Sequence, residues 1–296
     1  MKVFARVLSF ILLLLLLRRR QKPTLHTATN GLSLLWQITG NGLSKPSYLF
    51  GTMHLMCAED AVVSPSLQAV IKQVQQIYFE VDMDQAGTLI GGAVDFNMKN
   101  NGHLQDYLSV EEYEQVKIFF NQHQPLLPFE ILERQHPLML SSGLYEFFLP
   151  CHEKNGNEVK IVEQAHKLGK ATSGLESLAF QQTIFDSIPY DQQAKDLVKT
   201  INNLSHFKQS MQEMMAVYKS QDLEKLQELT MQDESGVSGH LDLLLYTRNR
   251  NWVQQMKPIM QEKSTLFAVG AGHLGGENGV LDLLRIKGYN LRPIVN

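Results

Sequence analysis

Two copies of one short pattern constrain this chain more than anything else in it. Each copy is an apolar run followed by Gly-x-x-His-Leu. The first is Tyr48-Leu49-Phe50-Gly51-Thr52-Met53-His54-Leu55, and the second is Leu266-Phe267-Ala268-Val269-Gly270-Ala271-Gly272-His273-Leu274. An apolar run of that length reads as a buried strand, and a glycine after it lets the chain turn sharply off the sheet. Each histidine then sits just past a strand end, where α/β folds build their sites. If the two strands share a sheet, two imidazoles from opposite ends of the chain meet at one metal or catalytic centre. A lone His beside a strand is ordinarily a packing residue; the repetition argues against that here.

The chain has 296 residues, enough for one large domain or two small ones. Hydrophobic residues are 44% and charged residues 19%, so a real core can be buried. A net charge of -3 leaves no basic footprint for nucleic acid or an anionic membrane surface. At the N-terminus, Lys2 and Arg6 precede an apolar stretch over 7–17, broken only by Ser9. That is the layout of a signal peptide, and the stretch is too short for an ordinary membrane-spanning helix. Arg18-Arg19-Arg20 follows without a small-x-small cleavage site. Residues 1–20 therefore read as a signal peptide or short anchor, and 21–31 as a polar linker. The chain is expected to be exported, periplasmic or extracellular, with membrane association only through its N-terminus. Cys57 and Cys151 lack metal-ligand spacing. A disulfide is one option for them in an exported chain, and burial of Cys57 as a small apolar side chain is the expected state.

Strands are expected at 34–38, 47–50, 77–82, 171–176, 265–269 and 291–294. Helices are expected at 65–76, after Asp84, and at 109–123, 158–168, 240–261 and 279–287. Residues 128–149 and 177–229 also read as largely helical. Ser64 before Pro65 makes a helix start, and Ser109 with Glu112 makes a capping box. Strands crowd both ends and helices the middle. The expected architecture is an α/β or α+β domain over 32–296, with a central mixed sheet, flanking helices and a helical insertion roughly over 109–261.

Histidine and carboxylate ligands suit Zn, Mn, Fe or Co. His54 and His273 are the first candidate ligands. Glu80 is the third, because a carboxylate inside an apolar strand is costly unless paired or bound to a metal. Period two puts Tyr78, Glu80 and Asp82 on one side of that strand and Phe79 and Val81 on the other. Glu80 is therefore expected to point toward the histidines; the competing reading pairs Glu80 or Asp82 with an arginine at the sheet edge. Glu176, which follows a short strand and a glycine, is a further candidate, or else a carboxylate at a helix N-terminus. Arg248 can pair with Glu80 or steady charge on an attacked carbonyl; its other reading is a solvated surface cation. No His-Glu-x-x-His helix and no Gly-x-Ser-x-Gly elbow is present. Gly270, Gly272 and Gly275 fit Gly-x-Gly-x-x-Gly spacing without a Walker Lys, so nucleotide or anion binding at the Gly270 loop is a rival reading.

At these residues the chain resembles the TraB/PrgY/GumN family, which includes the Tiki-type metalloproteases. The matching elements are the stretch from Tyr48 to His54, the strand carrying Glu80, and Gly174-Leu175-Glu176. Arg248-Asn249 with Trp252, the stretch from Val269 to Leu274, Gly279-Val280-Leu281 through Leu284, and Gly288-Tyr289 also match. The resemblance covers roughly residues 32–294. It implies a fold like that of the erythromycin esterase/ChaN-like proteins and a metal-dependent site lined by His54, Glu80 and His273. Tiki-type members are proteases that clip secreted signalling proteins; others are linked to pheromone shut-down or have no known reaction. The resulting expectation is a metal-dependent hydrolase, a peptidase acting on secreted or envelope peptides or proteins. Its metal ligands would be His54, His273 and Glu80, and its cofactor a divalent Mn, Co or Zn ion. Glu80 would be ligand or general base, with Arg248 and Glu176 as further catalytic groups. The alternatives are a non-catalytic protein that captures a peptide or a haem-like cofactor, and the nucleotide or anion site at Gly270.

Overall fold

In the computed structural model the described residues are 32–83, 96–124, 127–232 and 238–296. The leader and linker expected over 1–31 and the helix expected after Asp84 lie outside them. In chain order the strands are β1 (Leu35–Gly40), β2 (Ser47–Thr52), β3 (Met56–Cys57), β4 (Gln76–Val81), β5 (Lys154–Asn155), β6 (Ala171–Glu176), β7 (Thr265–Gly270) and β8 (Tyr289–Ile294). Six of them form one sheet in the order β6-β4-β7-β2-β1-β8, while β3 pairs with β5. β6, β4, β7 and β2 are parallel neighbours, and β1 runs antiparallel to both β2 and β8. This is the mixed sheet of an α/β fold.

The helices are α1 (Pro65–Gln73), α2 (Val110–His123), α3 (Phe129–Leu132), α4 (Pro137–Gly143), α5 (Asn157–Lys167), α6 (Leu178–Asp186), α7 (Tyr190–Asn202), α8 (Leu204–Ser220), α9 (Leu223–Gln232), α10 (Thr247–Glu262) and α11 (Val280–Ile286). Local chemistry sets their ends. Ser64 Oγ accepts from the Leu67 N–H at 3.0 Å to start α1, and Ser109 and Glu112 close the expected capping box on α2.

Side-chain alternation splits the core into two layers. Phe50, Ile77, Phe79 and Ala268 pack toward Val70 and Ile71 of α1 and Ile161 of α5. Leu49, Phe267 and Val269 pack toward Trp252 and Met256 of α10 and Leu284 of α11. β7 is covered on both faces, so it reads as an unbroken apolar run and buries all six residues. A further core joins Phe120 of α2, Phe129 of α3, Leu140 of α4 and Leu197 of α7. The helical stretch between β4 and β7 is not set apart from the sheet, because β6 within it forms the sheet's edge.

Cys57 is buried, as expected, and of the options left open for the two cysteines the structure has the disulfide between Cys57 and Cys151. β3 lies antiparallel to β5, with Cys57 opposite Lys154, and this brings the two Cα atoms to 5.7 Å. A ladder of two residues carries no periodic signal that a sequence could display. The bridge spans a sequence separation of 94 residues. Replacing both cysteines by serine should lower the unfolding free energy by about 2–4 kcal/mol, through freedom returned to the unfolded chain. Urea melts of the two proteins check this; a difference below about 0.5 kcal/mol would mean the bridge closes a loop already ordered.

Candidate active site

Because β4, β7 and β2 are adjacent and parallel, their C-terminal ends share one edge of the sheet. Thr52 of β2 pairs with Gly270 of β7, so the two Gly-x-x-His loops leave that edge side by side. Glu80, next to last in β4, reaches the same place. Its Oε1 lies 3.9 Å from His54 Nε2 and 3.7 Å from His273 Nε2. The two Nε2 atoms are therefore no further apart than those two lengths laid end to end.

Both motif glycines serve close approach; the expected turn occurs at Gly270, which ends β7 and leads straight into a 3-10 turn over Ala271–His273, but not at Gly51, which lies inside β2. Neither is among the residues with a left-handed backbone. Gly51 lies inside β2, where a Cβ would come within 3.1 Å of Leu274 Cδ2 and 3.2 Å of Ala271. At Gly270 a Cβ would sit 3.1 Å from Glu80 Oε1 and 3.4 Å from His54 Nε2. One glycine lets the second loop pack on the first strand, and the other leaves room for the site.

Each imidazole is held from behind. His54 Nδ1 is 2.7 Å from Glu158 Oε1, and His273 Nδ1 is 2.6 Å from Asn249 Oδ1. Donation of Nδ1–H to those oxygens turns both Nε2 atoms toward Glu80, with a lone pair on His273 and, once its second proton is displaced, on His54. His273 is buried, its ring centroid 4.4 Å from that of Trp252. Burial pushes its pKa down to about 3, so the ring is neutral at pH 7. His54 is open to solvent, with 67% of its side chain exposed, and the neighbouring Glu158 carboxylate raises its pKa.

Both readings of Glu80 hold at once, one for each oxygen. Oε1 accepts from the Gly270 N–H at 2.8 Å and faces the imidazoles, while Oε2 accepts from Arg248 Nη2 at 2.5 Å. Burial works against ionisation, yet His273, Arg248 and His54 together with the Gly270 N–H hold the carboxyl well below the usual range. With His273 neutral, Arg248 is the main source of that pull.

Arg248 is not a solvated cation; only 11% of its side chain is exposed. Nε and Nη2 donate to Glu176 Oε1 at 2.9 and 2.5 Å, and Nη1 donates to the Leu244 carbonyl at 2.9 Å. Its guanidinium carbon stands 4.8 Å from the Trp252 ring centroid, and Nη1 is 3.3 Å from His273 Nε2. Glu176 Oε2 accepts from Trp252 Nε1 at 2.9 Å. Glu176 thus holds Arg248, which in turn holds Glu80; it is not among the residues lining the cleft around the imidazoles. The helix start beside it is capped by Ser177, whose hydroxyl accepts from the Phe180 N–H at 3.1 Å.

Sequence reasoning missed Glu158, Asn157 and Tyr218, and named Asn249 only within a motif. Asn157 Oδ1 accepts from the Met53 N–H at 2.9 Å and from Tyr218 Oη at 2.7 Å, pinning the first loop. The available signal was Asn155-Gly156-Asn157-Glu158, which also reads as an ordinary helix start with an acid in its first turn.

Among the described residues no three His, Cys, Asp or Glu side chains are already gathered into an ion's coordination shell. The donor set nonetheless fits a divalent transition metal. Metal–ligand bonds of about 2 Å place two donors on one ion roughly 3–4 Å apart, the spacing Glu80 Oε1 keeps from each Nε2. Arg248 Nη1 is the group that competes for the His273 lone pair. The Gly270 N–H, which the nucleotide reading would aim at a phosphate, is given to Glu80 instead.

An α/β sheet delivering two Gly-x-x-His rings and a glutamate to one edge defines a class, and sequence comparison agrees with it. The model of the TraB/PrgY/gumN family matches residues 34–293, which include every site residue named above. The chain belongs to the TraB/PrgY/gumN family. It is similar to "Metalloprotease TIKI2" of Danio rerio, at 22% identity over 93% of this chain and 63% of that protein. It is also similar to "Metalloprotease TIKI1" of Homo sapiens, at 25% identity over 88% of this chain and 61% of that protein. The chain spans about three fifths of the length of these curated relatives. No solved structure matches it. Among the described residues no helix is long and apolar enough to cross a membrane.

Proposed function

We propose that this protein is a metal-dependent hydrolase that cleaves peptide bonds. The observation that carries the reading is the pair of imidazoles fixed through Nδ1, with both Nε2 atoms directed at one oxygen of Glu80. The similar TIKI proteins, named metalloproteases, support it. His54, His273 and Glu80 would hold a divalent ion such as Mn, Co or Zn. When bound, such an ion supplies a water of lowered pKa and polarises a carbonyl. Glu80 serves as a ligand and not as a base, because a carboxylate held so firmly ionised is a weak proton acceptor. Arg248 keeps Glu80 charged and oriented, and Glu176 positions Arg248. The Cys57–Cys151 bridge fits work in an oxidising, exported setting.

Incubation of the purified chain with unstructured peptides tests the reading. Cleavage should stop in chelator and return on adding Mn²⁺, Co²⁺ or Zn²⁺. Cleavage that persists in chelator overturns the metal's role; tight metal binding with no cleavage of any peptide favours a capture protein instead.

Glu158 gives a separate prediction. A carboxylate behind a ligating imidazole fixes its tautomer and raises its basicity, and its loss typically costs 10–100-fold in metal affinity. Glu158→Ala should weaken metal binding by about that factor, and Glu158→Gln, which can still accept the Nδ1–H, by less. Titration calorimetry reads both; unchanged affinity in Glu158→Ala would make the pair merely structural.

A further inference from the structure

The cleft that holds the imidazoles has a second wall, and it is apolar. The cleft encloses about 350 Å³. His54, Glu80, Arg248 and His273 line it at the sheet edge. Leu138 and Met139 of α4, Phe185 of α6, Met214 of α8, and Leu244 and Leu245 line the rest of it. The last two belong to a π-helical turn, Asp242–Tyr246, that leads directly into α10 and Arg248. One short turn therefore ties the apolar wall to the charged one.

This wall offers a polar side chain little. Ser142 Oγ donates to the Leu138 carbonyl at 3.0 Å, and Thr230 Oγ1 donates to the Leu226 carbonyl at 2.8 Å. Among the described residues, the charged groups lining the cleft are those of the site itself; Arg248 is already shared between Glu80 and Glu176, and His54 is paired with Glu158. A charged side chain entering here sheds its water and finds no free countercharge. A Leu, Met or Phe side chain gains by the same burial. Met139 and Met214, with flexible thioether chains, can fit branched or aromatic shapes.

We infer that this wall selects the substrate: a peptide presenting a bulky apolar residue, Leu, Met or Phe, beside the bond brought to His54, Glu80 and His273. The inference rests on the peptidase reading of the site, but different residues carry the selection.

The test uses the full chain with added Mn²⁺ and fluorogenic octapeptides of Gly, Ser and Gln, with one central residue varied. Binding of the same peptides is read by fluorescence anisotropy in chelator. Leu, Met and Phe peptides should exceed Ala by about tenfold in kcat/KM, and Asp or Lys by about a hundredfold. Leu245→Asp should flatten that ranking by about tenfold and favour Lys; because Leu245 also packs against the Leu138 and Leu244 cluster, a thermal melt read alongside shows that the variant is folded. Met139→Glu does the same at a second half-buried wall position should the first variant misfold. Equal cleavage and equal binding of Leu and Asp peptides overturns the inference and leaves the peptidase standing. A ranking that neither variant alters overturns it as well. Absence of cleavage, with Leu peptides bound selectively and that selectivity lost in Leu245→Asp, overturns the peptidase and supports the wall. Neither cleavage nor selective binding overturns both.

Discussion

Replacing His54 or His273 with alanine should remove metal binding and lower kcat/KM about a thousandfold or more, because the several kcal/mol a bound ion contributes to the transition state depends on both rings. The double variant should be no worse than either single one, since each change breaks the same unit. Geometry makes the two rings unequal in another respect. His273 is buried against Trp252 and bonded to Asn249, so its loss also leaves a cavity and an unpaired amide. His54 faces solvent, but its loss leaves the buried Glu158 carboxylate without its imidazole partner, so His54→Ala should lower the melt too, by less than His273→Ala. Glu158 draws a proton onto free His54, so an ion binding at neutral pH must displace that proton. Metal affinity should therefore climb as pH rises toward alkaline values. Calorimetry in two buffers of different ionisation enthalpy reads the released proton. Two singly mutated proteins that each keep near-normal turnover would dissolve the shared centre.

The second large effect is on stability. Arg248→Met should destabilise the fold by about 3–5 kcal/mol, because it strands two buried carboxylates. Glu80 and Glu176 have 12% and 4% of their side chains exposed, and this one guanidinium bonds both, lying closer to Glu80 than either imidazole does. Trp252 would also lose the cation over its ring. Arg248→Lys should recover only part of the loss, since one ammonium cannot reproduce the fork that spans Glu80, Glu176 and the Leu244 carbonyl. Adding Glu176→Gln to Arg248→Met should return some stability by removing one stranded charge, and urea melts of the two proteins measure that coupling. A loss below about 1 kcal/mol in Arg248→Met would mean the cluster is wetted and its charges screened.

How much of this was legible in the sequence depends on distance along the chain. β2 and β7 could be read because burial on both faces makes them unbroken apolar runs. His54 and His273 followed, because strand, glycine and ring lie within one short stretch. Glu80 could be read because alternation separates it from Phe79 and Val81. The partner of His54 could not: Glu158 lies 104 residues away and arrives there through the two-residue β3–β5 ladder and a disulfide. Glu176 stood at a strand end as a site carboxylate should, but Arg248 and Trp252, 72 and 76 residues on, take up its oxygens. The motif glycines were recognised for only part of the reason. A turn is a local property, whereas the approach of Leu274 to Gly51 or of Glu80 to Gly270 exists only after tertiary packing.

The strand order has a consequence for how the protein is made. β2 and β4 follow one another closely in the chain, yet they do not touch, because β7 lies between them. During synthesis the ribosome delivers His54 and Glu80 early, on two strands whose facing edges remain open. They gain a common neighbour only when residues 265–270 emerge, after all the intervening helices. Contacts of such long sequence separation form late. A nascent chain stopped short of β7 holds His54 and Glu80 without His273 or the strand that joins theirs, so the proposed centre can assemble only when the sheet receives that strand.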